Sequence, residues 1–159
     1  MKIIKELVPY VLIVIFVVLL RTFIITPVRV DGASMDNTLK DGQVLLLYKL
    51  AKVNRYDIVV VDEENIDEVI IKRVYGMPGD TIEINHNSIY INGKVIDDQY
   101  GVGKTSDYAE ITLKGDEYFV LGDNRAVSID SRRLGPIPRK DILGKAKLVI
   151  FPFNRFGIK

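Results

Sequence analysis

The chain has 159 residues, 48% of them hydrophobic and 27% charged, with a formal net charge of +1. A charge so near balance, with no Lys/Arg run interleaved with aromatics, excludes electrostatic binding of nucleic acid. With no Cys and a single His, thiol catalysis, thiolate metal sites and multi-histidine metal sites are also excluded. The length allows one ordinary globular domain plus one unusually apolar segment.

That segment comes first. Residues 1–6 form a short tail carrying Lys2 and Lys5, and residues 7–25 follow with one charge, Arg21, in 19 positions. As a helix they would cover roughly 28 Å, close to one hydrocarbon core. Arg21 lies near one end, where its side chain can snorkel to the headgroups. A cleavable secretory leader has the same charged start, but this run is longer. It closes on Ile24-Ile25-Thr26-Pro27-Val28, with no small-x-small cleavage site. The expectation is a retained transmembrane helix over 7–25, with the lipid bilayer as a partner. Lys2 and Lys5 at one end and Arg21 and Arg29 at the other leave the orientation nearly unencoded.

Asp31-Gly32-Ala33-Ser34-Met35 comes next. Two readings of Ser34 stand side by side. It is an ordinary turn serine capping Met35 to Leu39, or it is a nucleophile beside a glycine that permits close backbone approach.

Beyond Val28 the periodicity turns strand-like. Short β-branched and aromatic runs recur at Gln43–Tyr48, Asp57–Val61, Val69–Tyr75, Thr81–Ile84, Glu117–Leu121 and Ala146–Phe151. Ser88 to Ile96 reads as a hairpin turning on Asn92-Gly93. Asp62-Glu63-Glu64 to Glu68, and Tyr100 to Tyr108, read as solvated loops. With no long helix after Pro27, residues 28–159 are expected to form a mostly β domain, its sheets folded on themselves into a barrel-like shape.

Within the Val69–Tyr75 run, Lys72 shares a face with Ile70 and Val74, while Ile71, Arg73 and Tyr75 share the other. If the first face is the core face, Lys72 is a cation among aliphatics. Desolvation would then lower its pKa from about 10.4 toward that of a general base. If the second face is inward, Lys72 is exposed and Arg73 is buried or paired, and periodicity alone does not choose. His86 lies in the polar turn Asn85-His86-Asn87 and reads as a solvated loop residue rather than a base.

Gly122-Asp123-Asn124-Arg125-Ala126-Val127-Ser128-Ile129-Asp130-Ser131-Arg132 resembles the most distinctive box of the bacterial type I signal peptidases, which are membrane-bound serine/lysine proteases. The other boxes appear in family order. They are Gly32 to Leu39, Arg55 to Val61, and Ile71-Lys72-Arg73-Val74-Tyr75-Gly76-Met77-Pro78-Gly79-Asp80. The resemblance runs from the apolar segment to Phe151-Pro152-Phe153-Asn154-Arg155.

The resemblance implies that Ser34 is the nucleophile, Lys72 its general base and Ser128 the hydroxyl that orients the lysine amine. It also implies that Asp130 and Arg132 form a structural ion pair. The Ser34 amide would donate to the oxyanion. Gly32 stands where some members supply a second donor from a serine, so that donor comes from backbone or is missing. No metal or cofactor is implied. The implied substrates are preprotein signal peptides with small residues at the cleavage site. The implied location is the cell membrane, with a cytoplasmic N-terminus and an extracytoplasmic catalytic domain.

Three departures stand out: Asn37 in place of Pro, Tyr56 in place of Gly, and Ala126-Val127 in place of a polar pair. Two other classes remain open on residues alone. One is a membrane-anchored β-domain with no activity, acting as a binding or adaptor module with Lys72 charged. The other is a soluble self-cleaving Ser/Lys repressor, which the apolar N-terminal segment and the lack of a DNA-binding segment argue against.

Overall fold

The computed structural model describes residues 2–63 and 68–158. It begins with α1, Lys2–Phe23. Within it, Glu6–Phe23 is long and apolar enough to cross a membrane, with a mean hydropathy of 2.2 and none of it buried. The helix stops two residues short of the expected boundary. Ile24 lies outside it, and Ile25 opens strand β1, Ile25–Arg29. Pro27 is the reason, since it holds the preceding Thr26 extended and offers no N–H. The carbonyls left open at the helix end are satisfied locally. Thr26 Oγ1 donates to the Arg21 carbonyl at 2.9 Å, and Lys49 Nζ donates to the Thr22 carbonyl at 2.8 Å. A lysine there also favours the negative end of the helix dipole.

The large sheet contains β1, β2 (Val44–Tyr48), β3 (Ile58–Glu63), β4 (Glu68–Gly76), β9 (Glu117–Leu121), β10 (Ile137–Pro138), β11 (Ile142–Phe151) and β12 (Gly157–Ile158). Its order is β1-β2-β11-β3-β4-β9-β10, with β12 paired to β11, and the pairings are antiparallel. A smaller sheet runs β7-β6-β5-β8, from β5 (Thr81–Asn85), β6 (Ser88–Ile91), β7 (Lys94–Val95) and β8 (Tyr108–Thr112). A single turn of helix, α2 (Ser131–Leu134), follows the Gly122 box.

Three apolar clusters hold these layers together. Val30, Met35 and Leu39 pack with β2, β3 and Ile71 in the first, and Ile70 and Val74 join Val59, Val61 and Val120 in the second. Ile82, Ile84, Ile89 and Ile91 of the small sheet close over Tyr75, Phe119 and Leu121 in the third. Strand β4 therefore contributes to all three. It has no solvent face between Ile70 and Tyr75, which is why alternation did not resolve its orientation. Lys72 and Arg73 are both 3% exposed.

The mostly β, folded-sheet expectation holds, and the expected strands are present with shifted ends. Three corrections apply. Asp62, Glu63 and Glu68 belong to β3 and β4 rather than to a loop, while 64–67 lie outside the described residues. Strands β1 and β8, which carry few apolar alternations, were not anticipated. Tyr108 opens β8 instead of closing a loop. The Asn92-Gly93 turn is as expected, with both residues in the left-handed region, as two-residue hairpins require.

Candidate active site

The Ser34 segment is a tight turn anchored from below. Gly32 sits at φ 84°, the left-handed region that glycine tolerates. The chain then folds into a helical turn in which Leu39 N–H donates to Met35 O at 2.7 Å. Met35 and Leu39 are buried at 1% and 0% exposure, so the turn cannot rotate, and Ser34 stays half-buried at its crest.

Lys72 reaches this crest from β4. Its Nζ donates to Ser34 Oγ at 2.9 Å and to the Ile71 carbonyl at 3.0 Å. Withdrawing an amine from water disfavours its charged form, and that is the condition a lysine needs to accept a hydroxyl proton. The Ser34 N–H has no acceptor among the described residues. The Gly32 N–H is committed to Asp41 Oδ1 at 2.9 Å. With its N–H so engaged, Gly32 offers no second oxyanion donor in this geometry, which fits the alternative in which that donor is missing.

The Gly122 box lies directly behind the turn. Asn124 N–H donates to the Ser34 carbonyl at 3.0 Å. A Cβ at Gly122 would overlap Ser128 Oγ and come within 2.7 Å of the Ser34 carbonyl oxygen, so only glycine lets these two segments meet. Asp130 and Arg132 form the expected ion pair, Nε to Oδ1 and Nη2 to Oδ2, each at 2.8 Å. Asp130 Oδ2 also accepts the Gly122 N–H at 2.9 Å, so the pair fixes the glycine as well as the helix it caps.

Ser128 departs from expectation. Its hydroxyl is buried with no hydrogen-bond partner among the described residues. The contact that would aim Lys72 is not made, because the amine is turned to Ser34 and the Ile71 carbonyl.

Sequence reasoning missed the layer beneath the dyad. Arg73, next to Lys72, binds Asp123 through Nε to Oδ1 at 2.9 Å and Nη2 to Oδ2 at 2.7 Å. It also donates to Thr38 Oγ1 and to the Tyr56 carbonyl, each at 2.9 Å, and stacks on the Tyr100 ring. One guanidinium thus joins four segments, and a buried bidentate pair fixes their geometry. Asp123 next to Asn124, and Arg73 next to Lys72, were the available signals.

Two departures from the family pattern acquire roles here. Asn37 Nδ2 donates to the Tyr100 carbonyl at 2.7 Å. Tyr56 occupies the left-handed region at φ 68°, a conformation that costs a non-glycine residue about 1 kcal/mol. Its ring packs against Tyr75 and Tyr100 in return.

A second buried network ties β4 and the segment after β7 to the box. Arg125 Nη2 lies 2.6 Å from Asp98 Oδ2, and the Tyr75 hydroxyl donates to Asp98 Oδ1. Burial, then the bond to Asp98, pushes the Tyr75 hydroxyl far above its ordinary range. Burial raises the Asp98 carboxyl, but the Tyr75 hydrogen bond and the Arg125 charge outweigh it and leave the group below its usual 3.8.

In front of the dyad lies a groove of about 740 Å³. One wall is Arg29 to Met35, the other is Val69 to Lys72, and Val127 and Ile129 border it. Among the described residues β1 pairs only with β2, and β9 pairs with β4 only from Arg73 onward. The large sheet therefore curls until the chain leaving its first strand faces an open stretch of β4. The groove is the gap between them.

A family model for signal peptidase, peptidase S26, matches residues 3–151. The chain belongs to the signal peptidase family. Signal peptidase I of Bacillus licheniformis is 38% identical, with 89% of this chain and 84% of the relative covered. Signal peptidase I of Streptococcus pneumoniae is 36% identical, with 96% and 95% covered. The crystal structure of a signal peptidase I from Enterococcus faecalis superimposes with a TM-score of 0.54 at 31% identity, covering 60% of this chain and 97% of that one. The signal peptidase match spans all four boxes and the apolar helix.

Proposed function

We propose that this chain is a membrane-anchored serine endopeptidase that removes signal peptides, with Ser34 as nucleophile and Lys72 as general base. The observation that carries the assignment is the 2.9 Å contact between Lys72 Nζ and Ser34 Oγ, made by a lysine only 3% exposed. A non-catalytic module has no need to bury an amine against a serine.

The cleavage region of the substrate lies extended in the groove, adding a strand between the Arg29–Met35 segment and the open edge of β4. Val30, Ala33, Ile70 and Ile129 give shallow apolar contacts that suit small residues just before the cleaved bond. Neutral Lys72 accepts the Ser34 proton as Oγ attacks the scissile carbonyl, and the Ser34 N–H donates to the oxyanion. The lysinium then protonates the leaving amine as the C–N bond breaks, leaving an acyl-serine. A water molecule, deprotonated by the same lysine, attacks that ester, and the proton returns to Ser34 as the acyl group leaves. Ser128, silent at rest, takes up the lysine amine when it swings away from Ser34.

The helix Glu6–Phe23 spans the bilayer and holds the groove close to its surface, where a signal peptide's own apolar segment presents the cleavage site. Residues 1–6 then lie in the cytoplasm and the chain beyond Pro27 lies outside it.

The test is incubation of detergent-solubilised protein with a preprotein, followed by N-terminal sequencing of the product. Cleavage after a small residue is expected, and replacing that residue with Phe should abolish it. Absence of processing, or cleavage indifferent to the Phe, would refute the assignment. Protection of the large fragment from external protease in spheroplasts would refute the orientation.

A further inference from the structure

Val127 lines two cavities. The first is the groove in front of the dyad. The second, of about 250 Å³, shares that residue with it. Its lining includes Lys104, Arg125, Arg132 and Arg133, and no acidic side chain. Both buried guanidiniums are already committed, Arg125 to Asp98 and Arg132 to Asp130. Lys104 and Arg133 are exposed and make no ion pair among the described residues. Ser106 adds a hydroxyl to the lining, and so does Ser128, which is 7% exposed and has no partner among the described residues.

The direction of the groove fixes what enters this second cavity. Each wall of the groove is a stretch of sequence that arrives at the dyad, Arg29 to Ser34 on one side and Val69 to Lys72 on the other. Substrate residues ahead of the cleaved bond fill that length. The chain beyond the bond continues past Ser34 toward Val127, the residue that borders both the groove and the second cavity. Ala126 and Val127 are decisive in this position. They stand where the resembling family usually has a polar pair, and they leave the cavity's two uncommitted cations with no carboxylate facing them.

We infer that the cavity bordered by Lys104, Arg133 and Ser128 is a subsite for the mature side of the substrate, and that it selects a carboxylate within the first three residues after the cleaved bond. The inference rests on the reading of Ser34 and Lys72 as the dyad. It makes the chain discriminate among preproteins by the charge of the mature terminus, in addition to the size of the residues that precede it. The attraction comes from exposed side chains, so it is modest and screened by salt.

The experiment compares three peptides, identical except for Glu, Gln or Lys at the second position after the cleaved bond, with full-length protein in detergent. At low salt kcat/KM is expected to be roughly fivefold higher for Glu than for Lys, with Gln between them. The ratio should shrink toward one in 1 M salt. Lys104→Glu combined with Arg133→Glu should invert the ratio, and Lys104→Gln with Arg133→Gln should flatten it. Both sites are exposed, so neither pair of substitutions removes a core contact. A wild-type ratio within twofold of one, or a preference that survives the charge reversal, would overturn the inference while leaving the dyad standing. Failure to cleave any of the peptides would instead overturn the dyad reading and this subsite together.

Discussion

Lys72 Nζ and Ser34 Oγ lie 2.9 Å apart although 38 positions separate the two residues. Each is held by a different mechanism. Ser34 rides on a turn locked by Met35 and Leu39, and Lys72 rides on a strand that is buried on both faces. The two supports meet through Arg73, which follows Lys72 and binds Thr38 within the serine turn and Asp123 in the Gly122 box. Neither the strand nor the turn can shift without disturbing a buried ion pair.

Lys72→Arg keeps a positive charge at this position but cannot give it up. The turnover number should fall by at least about three orders of magnitude, matching Lys72→Ala. The check is a steady-state assay on a signal-peptide substrate. Turnover by the arginine variant within tenfold of wild type would make Lys72 an electrostatic group and not a base.

Ser128→Ala separates stability from activity. The hydroxyl is buried and has no partner among the described residues, so removing it relieves a desolvation cost of about 1 kcal/mol. Thermal unfolding should move to equal or higher temperature while turnover falls by about 100-fold. A variant that loses stability and activity together would show that Ser128 acts through packing alone.

Asp98→Asn tests the network behind the box. Arg125, 1% exposed at its side chain, would lose its carboxylate, and breaking a buried pair of this kind costs about 3 kcal/mol. The Asp98 carboxyl is held below its usual value of 3.8, so its contribution is complete above that pH and is lost as pH falls through the lower folded-state value. Wild-type stability should therefore decline on the acid side below about pH 4, and Asp98→Asn should flatten that limb. Chemical denaturation between pH 2 and 7 checks it, and an unchanged acid limb would count against the network.

Much of this was legible in the residues because the decisive signals are local. An uncharged stretch of helix length, alternating runs and an Asn-Gly turn each declare themselves without tertiary context. The facing of Lys72 did not, because a strand buried on both sides carries no alternation, and only the three surrounding clusters decide it. The end of α1 was misplaced for a related reason. Ile24 and Ile25 are as apolar as the helix, and the change of structure is imposed by Pro27 and by pairing with Tyr48. The Arg73 network depends on contacts between distant segments, and the commitment of Gly32 to Asp41, nine positions on, depends on how the intervening turn folds.

The most direct measurement is the rate at which purified, detergent-solubilised protein processes a preprotein, wild type against Ser34→Ala. The substitution removes one oxygen from a turn whose hold comes from Met35, Leu39 and the Asn124 contact, so circular dichroism and the melting temperature should be unchanged. Processing should fall by roughly 10⁴-fold or more. A correctly folded Ser34→Ala protein that still processes the preprotein at a substantial fraction of the wild-type rate would place the nucleophile elsewhere and contradict the Ser34–Lys72 dyad.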